Sequence, residues 1–173
     1  MPDRRTLLVP ATVALALGVI GPASAQEPGL IPTVSKIRYD GIGAFKVGMT
    51  RKEAHKAAGT VYYTKARVGD CLYWDFGPPG TPEGPFLRFH DGRLRAVEVG
   101  VEDLATKRGV EVGDRVREVR RKYKRLHRRV DLGGGYELVS RKGKGRLIFT
   151  IVNKKVSFIV GGTAPWALQQ ECV

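Results

Sequence analysis

"RLIFTIVNKKVSFIV", residues 146–160, carries Leu147, Phe149 and Ile151 two residues apart before Asn153-Lys154 and Val156, Phe158 and Val160 two residues apart after it. A period of two puts one set of side chains on one face of a strand, and two such runs joined by a two-residue turn read as a hairpin. That turn sets Ile151 against Val156, Phe149 against Phe158 and Leu147 against Val160, so every apolar pair shares a face. A slip of one residue would turn that face to water, which makes this register specific.

The same pattern occurs earlier, in "FLRFHDGRLRAVEV", residues 86–99, around the turn Asp91-Gly92. Between Ala96 and Val99 its alternation slips by one, which predicts a bulge or a partly covered second face. Each hairpin is preceded by a helical stretch. In "VGMTRKEAHKAAG", residues 47–59, Thr50 is placed as an N-cap and Glu53 as its capping-box partner, with Gly59 as the stop. The second stretch carries Val112, Val116, Val119, Tyr123 and Leu126 at spacings of four and three, an apolar helix face with Asp114 as the expected cap. Strands at Cys71–Phe76 and Tyr136–Ser140 complete the two copies, whose equivalent positions Val47 and Val112 lie 65 residues apart. These elements predict an α+β fold of two repeats, each a short helical segment packed on an antiparallel sheet. The first repeat covers residues 37–104. The second covers residues 105–173 and includes a C-terminal tail.

Arg4 and Arg5, an apolar run from Leu7 to Ile20 and the small residues Ala23-Ser24-Ala25 read as a secretory signal peptide over residues 1–25. The run is too short to span a bilayer, so no transmembrane span is expected after cleavage; an uncleaved anchor is the competing reading. Residues 26–36 form a Pro-containing flexible leader. Setting aside Asp3, Arg4 and Arg5 takes the formal charge from +13 to +12. A charge this high attracts polyanions such as wall polymers, anionic lipid or nucleic acid, and serves equally well for plain solubility. From Lys107 to Arg129 there are 11 basic and 3 acidic residues. Within this segment Arg117, Arg121, Lys124 and Arg128 repeat at helical spacing as a basic surface stripe. Few aromatics interleave with it, so base-stacking recognition of nucleic acid is not expected.

Two cysteines, Cys71 and Cys172, in an exported chain favour a disulfide that would tie the tail to the first half. Closing so long a loop contributes on the order of 4 kcal/mol in the chain-entropy view. A metal site is the alternative, but two isolated cysteines without a nearby His pair serve it poorly.

The Gly-Met-Thr helix start and "LRFHDGRL", residues 87–94, resemble the β-lactamase inhibitory protein (BLIP) repeat and the related SmpA/OmlA (BamE-like) envelope lipoproteins. Across nearly the whole chain after residue 25, "GIGAFKVGMT", Cys71-Leu72-Tyr73, the Asp-Gly hairpin, "RGVEVGD" and the terminal "ECV" are similar to uncharacterised secreted proteins of actinobacteria. The resemblance implies that Gly48, Met49, Thr50 and Gly59 bound a helix and that Asp91 and Gly92 form a turn. It does not carry inhibition across. The inhibitory repeats each close their own disulfide, and the lipoproteins carry an acylated cysteine that this sequence lacks after its apolar run.

His55, His90, His127, Glu98, Glu137 and Arg141 could supply the acid and base of a small basic secreted hydrolase such as a nuclease. Solvated surface histidines are the commoner meaning of such positions, and no nucleophile elbow, phosphate loop or zinc spacing accompanies them. Gly133-Gly134-Gly135 lacks the flanking strand and helix of a dinucleotide fingerprint and reads as a linker. "GPPGTPEGP", residues 77–85, is a stiff loop beside Trp74; with Trp74, Pro78 and Pro79 it forms a possible binding loop. The expectation is an exported, non-catalytic binding protein without cofactor or metal, its partner an envelope or extracellular protein or an anionic wall polymer.

Overall fold

The computed structural model describes residues 35–59, 63–77, 85–130, 134–164 and 167. The first described elements are three two-residue strands, β1 (Ile37–Arg38), β2 (Gly41–Ile42) and β3 (Phe45–Lys46), paired in that order. Helix α1 (Arg51–Ala58) leads into β4 (Thr64–Val68), β5 (Cys71–Asp75), β6 (Pro85–His90) and β7 (Arg93–Val99). Helix α2 (Val116–Lys122) leads into β8 (Leu126–Val130), β9 (Tyr136–Lys142), β10 (Gly145–Val152) and β11 (Lys155–Thr163). The last eight strands form one antiparallel sheet in the order β4-β5-β6-β7-β11-β10-β9-β8. Two meanders are thus stitched at β7 and β11, with Val97 opposite Gly161 and Glu98 opposite Val160.

This architecture corrects the expected α+β class. The described residues are mostly β, and the two helices among them, of eight and seven residues, do not form a layer on the sheet. Helix α1 buries only Ala54 and Ala58, and α2 only Val119. Ile37, Ile42 and Phe45, from the three short strands, join the core beside them. The second helix is shorter than its apolar spacing predicts because short elements of different type place apolar residues at helical intervals. Val112 precedes Gly113, whose φ of 88° lies outside helical backbone; Tyr123 ends the helix in extended conformation; Leu126 begins β8.

Each half nevertheless builds the same backbone frame. Gly48 N–H donates to Leu94 O, Leu94 N–H to Met49 O and Arg51 N–H to Gly92 O. In the second half Gly113 N–H donates to Val156 O, Val156 N–H to Asp114 O and Val116 N–H to Lys154 O. Each helix start is therefore hydrogen-bonded to the turn of its own hairpin. Both turns hold two residues at positive φ, Asp91-Gly92 at 50° and 70° and Asn153-Lys154 at 49° and 64°.

The bulge expected in the first hairpin is present: Arg88 faces Ala96 and Phe89 faces Leu94, leaving Arg95 as the extra residue. A second bulge, at Ser157, corrects the register of the second hairpin. Ile151 does oppose Val156, but beyond the bulge Phe149 opposes Ile159 and Leu147 opposes Gly161. One extra residue in a strand moves every later partner by one.

The bulges also divide the sheet's faces. Trp74, Leu87, Phe89, Val97, Leu147 and Phe149 belong to the main core. The opposite face carries a smaller apolar cluster of Ala96, Val139, Ile148, Val160 and Ala167. On that face Arg88 and Glu98 form a buried ion pair at 3.1 Å. Gly161 lets β1 approach the stitch between the halves, since a Cβ there would stand 2.3 Å from the Arg38 carbonyl oxygen.

Candidate functional site

The expected basic stripe does not form on one helix. Arg117 and Arg121 project from α2, Lys124 lies in the link after it, and Arg128 belongs to β8, an edge strand. All four are exposed. The Arg128 guanidinium lies 4.4 Å from the Tyr136 ring centroid, so it covers an aromatic face rather than extending a helical row. Three cations in the last turn of α2, Arg120, Arg121 and Lys122, sit where a helix terminus favours positive charge.

A cleft of about 330 Å³ lies next to this end of the molecule, lined by Arg38, Lys107, Arg108, Arg141 and Lys142 around Tyr39 and Tyr123. Among the described residues no carboxylate lines it. Four segments distant in sequence build it, and backbone hydrogen bonds fix each one. Ile37 N–H donates to Ala105 O at 2.9 Å and Lys107 N–H returns to Ile37 O at 3.1 Å, which holds Arg38 beside Lys107. Thr106 closes a tight turn, its Oγ1 accepting from Val110 N–H at 3.0 Å and its N–H donating to Val110 O at 2.8 Å. From that turn Arg108 donates to the Lys122 carbonyl at 2.7 Å and lies 5.0 Å from the Tyr123 ring centroid, capping α2. Lys122 Nζ in turn donates to the Gly109 carbonyl. Tyr39 joins the β9 wall through its hydroxyl, 2.7 Å from Ser140 Oγ. Tyr123 is 3% exposed, and burial pushes its hydroxyl above the usual tyrosine range.

The cations of the cleft are not equivalent. Arg38 is engaged by Asp40 at 3.0 Å and by the Gly43 carbonyl. Arg108 is spent on the helix end. Lys107, Arg141 and Lys142 are exposed and form no ion pair among the described residues. Arg141 also stands directly opposite Arg146 across the β9–β10 ladder, a like-charge placement that disfavours the fold unless an anion offsets it.

Of the residues that could have served acid–base chemistry, His90 and His127 are held apart, while His127, Glu137 and Arg141 share one face of the paired strands β8 and β9, His127 standing opposite Val139. His90 ends β6 and His127 lies on β8, with β7, β11, β10 and β9 between those strands. His127 thus stands on a strand and not at a helix end. His90 pairs with Asp91 at 2.9 Å, and His55 Nδ1 lies 2.7 Å from the Tyr63 hydroxyl. Glu137 meets Arg129 at 3.7 Å. Burial raises the Glu98 carboxyl above its ordinary range, against the lowering influence of Arg88. The buried pair could be anticipated only from the slipped alternation around Ala96, which turns both charges toward the covered second face. A second cleft, of about 430 Å³, lies between Arg51, Arg67, Asp70, His90 and Asp91 and is mixed in charge. Among the described residues no group of three His, Cys, Asp or Glu side chains could hold a metal ion.

Trp74 is not a binding-loop anchor. It is 3% exposed and stacks on Tyr63 at 4.4 Å and against Phe89 at 4.6 Å, inside the core. Pro78 and Pro79 lie outside the described residues, as do residues 1–25, where a signal peptide is expected, and Cys172. Cys71 is fully buried, and no described cysteine is free. Among the described residues no helix is long and apolar enough to cross a membrane.

Comparison with protein-family models and with curated proteins gives no match. Among solved structures, the chain is similar to that of an extracellular protein containing a SCP domain from Bacillus anthracis str. Ames. The TM-score is 0.51 at 8% identity, over 68% of this chain. The match takes in 44% of that protein, so the chain spans less than half of it. At this identity the two share a fold for the matched region and nothing more specific.

Proposed function

We propose that the chain is an exported, non-catalytic binding protein of the cell envelope or extracellular space. Its partner is an anionic wall polymer or an envelope or extracellular protein, met through the cations around α2, β8 and β9. The observation that supports this most is the group Lys107, Arg141 and Lys142, exposed side by side around one cleft without a described counter-charge. Uncompensated cations on a folded surface raise its self-energy, and an anionic partner removes that cost. Export is supported by the N-terminal signature and agrees with the extracellular setting of the similar structure. A Cys71–Cys172 bridge would suit that setting.

Retention on isolated cell envelopes tests the reading. At about 0.15 M salt, where the Debye length is about 8 Å, the protein should be retained; at about 1 M, where it falls to about 3 Å, it should be released. Mass spectrometry of the eluate separates a polymer partner from a protein one. Failure to be retained at either salt concentration overturns the reading.

A further inference from the structure

We propose that the cleft between β1, the Thr106–Val110 turn, the end of α2 and the end of β9 is a phosphoryl-binding site, and that its occupant is the phosphodiester backbone of an anionic wall polymer. This rests on the binding function proposed above and names the ligand of that surface. Five cations line a space of about 330 Å³ with no carboxylate among the described lining residues, a volume at the small end of ligand sites. Lys107, Arg141 and Lys142 have no ion-pair partner among the described residues. Arginine and lysine together suit a phosphoryl oxyanion, the guanidinium as a two-pronged donor and the ammonium as a point charge.

The surroundings favour a polymer over a free ion. Arg108 ties the cleft to the carbonyl of Lys122, so the last turn of α2, with Arg120 and Arg121, continues the positive surface from the cleft's rim. A chain of regularly spaced phosphates can occupy the cleft and run onto the helix. Nucleic acid is disfavoured because Arg108 covers Tyr123 and Arg128 covers Tyr136, which leaves Tyr39 as the one cleft-lining ring without such a cation over it among the described residues. A single half-buried ring is a poor platform for successive bases.

Calorimetric titration of the full chain with poly(glycerol phosphate), inorganic phosphate, poly-γ-glutamate and single-stranded oligo-dT tests the site. The triple variant Lys107→Gln, Arg141→Gln, Lys142→Gln should lose about tenfold or more in affinity for poly(glycerol phosphate). A triple variant of equal charge, Lys46→Gln, Lys52→Gln, Lys56→Gln, should lose less than about threefold. Inorganic phosphate that competes with the polymer identifies the same phosphoryl site; phosphate binding without any gain for the polymer assigns the site to the free ion. In the unmutated protein, poly(glycerol phosphate) should protect Lys107 and Lys142 from acetylation more than Lys52 and Lys56, a readout that no folding defect can mimic. Equal losses in the two triples, equal binding of poly-γ-glutamate, or a preference for oligo-dT overturns the site. Envelope retention that persists in the cleft triple refutes the cleft alone. Absent retention with intact phosphate binding refutes the envelope reading and leaves the site standing.

Discussion

The two halves of the sheet share a backbone frame and differ in what they attach to it. In the first, Thr50 and Glu53 close a full capping box, with Glu53 N–H donating to Thr50 Oγ1 at 3.2 Å and Thr50 N–H to Glu53 Oε2 at 2.7 Å. In the second, Arg115 stands at the cap, and Glu118 accepts its N–H at 3.0 Å. The first turn ends in glycine, and the second places Lys154 at a φ of 64° that side chains disfavour. The first half stacks Tyr63, Trp74, Phe76 and Phe89, whereas the second brings Tyr123 to Phe149 at 5.0 Å. Cations replace good caps and turn residues in the half that borders the cleft. Both copies of the frame pack into one core, and they differ in the charge placed at the helix start and the turn.

Truncating the aromatic of each half puts that shared core to its strongest test. Phe89→Ala and Phe149→Ala remove side chains that are 1% and 0% exposed, at an expected cost of about 3–5 kcal/mol each. Phe89, beside Trp74, should lie at the upper end of that range and Phe149 at the lower. Because both belong to one core, urea unfolding followed by tryptophan fluorescence and by circular dichroism should give a single coincident transition in each variant. Separate transitions in Phe149→Ala would show that the second meander melts alone, and the shared core would be refuted.

Acid titration contrasts the stitch between the halves with the first helix cap. Glu98 has a folded pKa raised by burial above its ordinary 4.5. The folded state therefore binds more protons than the unfolded one between those two values, and stability falls as pH rises through that window. Glu53 is lowered from 4.5, first by the Thr50 backbone hydrogen bond and then by the Thr50 hydroxyl. Its contribution is present above 4.5 and is lost as pH falls through the lowered value. Glu98→Gln should flatten the fall on the alkaline side of 4.5, and Glu53→Gln the loss on the acid side. Urea midpoints measured across pH would separate them. An unchanged profile in Glu98→Gln would mean that the buried carboxyl does not titrate with folding.

Much of the local structure was legible because it depends on neighbours in sequence. Asp91-Gly92 and the Thr50–Glu53 box carry their own chemistry within a few residues, and both are found where the spacing put them. Helix α2 was misjudged because Val112, Val116, Tyr123 and Leu126 keep helical spacing while belonging to a loop, a helix, its end and a strand. The second register fails beyond Ser157 because Phe158-Ile159-Val160 is apolar throughout, so the pattern does not distinguish which of these side chains share the face of Phe149. The cleft was not legible, since Arg38, Lys107, Arg108, Arg141 and Lys142 come together only after β1 is hydrogen-bonded to the turn at Thr106. Of the basic stripe Arg117, Arg121, Lys124 and Arg128 none lines it, and Arg141, singled out in sequence only for acid–base chemistry, does.

The smallest expected effect bears most directly on why the halves diverged. Thr50→Ala removes a side chain that accepts at the helix start and should cost about 1 kcal/mol in thermal or urea unfolding. Arg115→Ala should cost clearly less, because the Arg115 side chain makes no cap hydrogen bond. Arg115→Thr, which restores the first half's cap opposite Glu118, should stabilise by about 0.5–1 kcal/mol. A gain in stability together with weaker envelope retention would mean that the second helix start gave up capping for charge. A gain without loss of retention would place the selected cations in the cleft and not at the cap. No gain at all would mean that the second frame no longer needs its cap, because the hydrogen bonds from Gly113 and Val116 to the hairpin already hold the helix start in place.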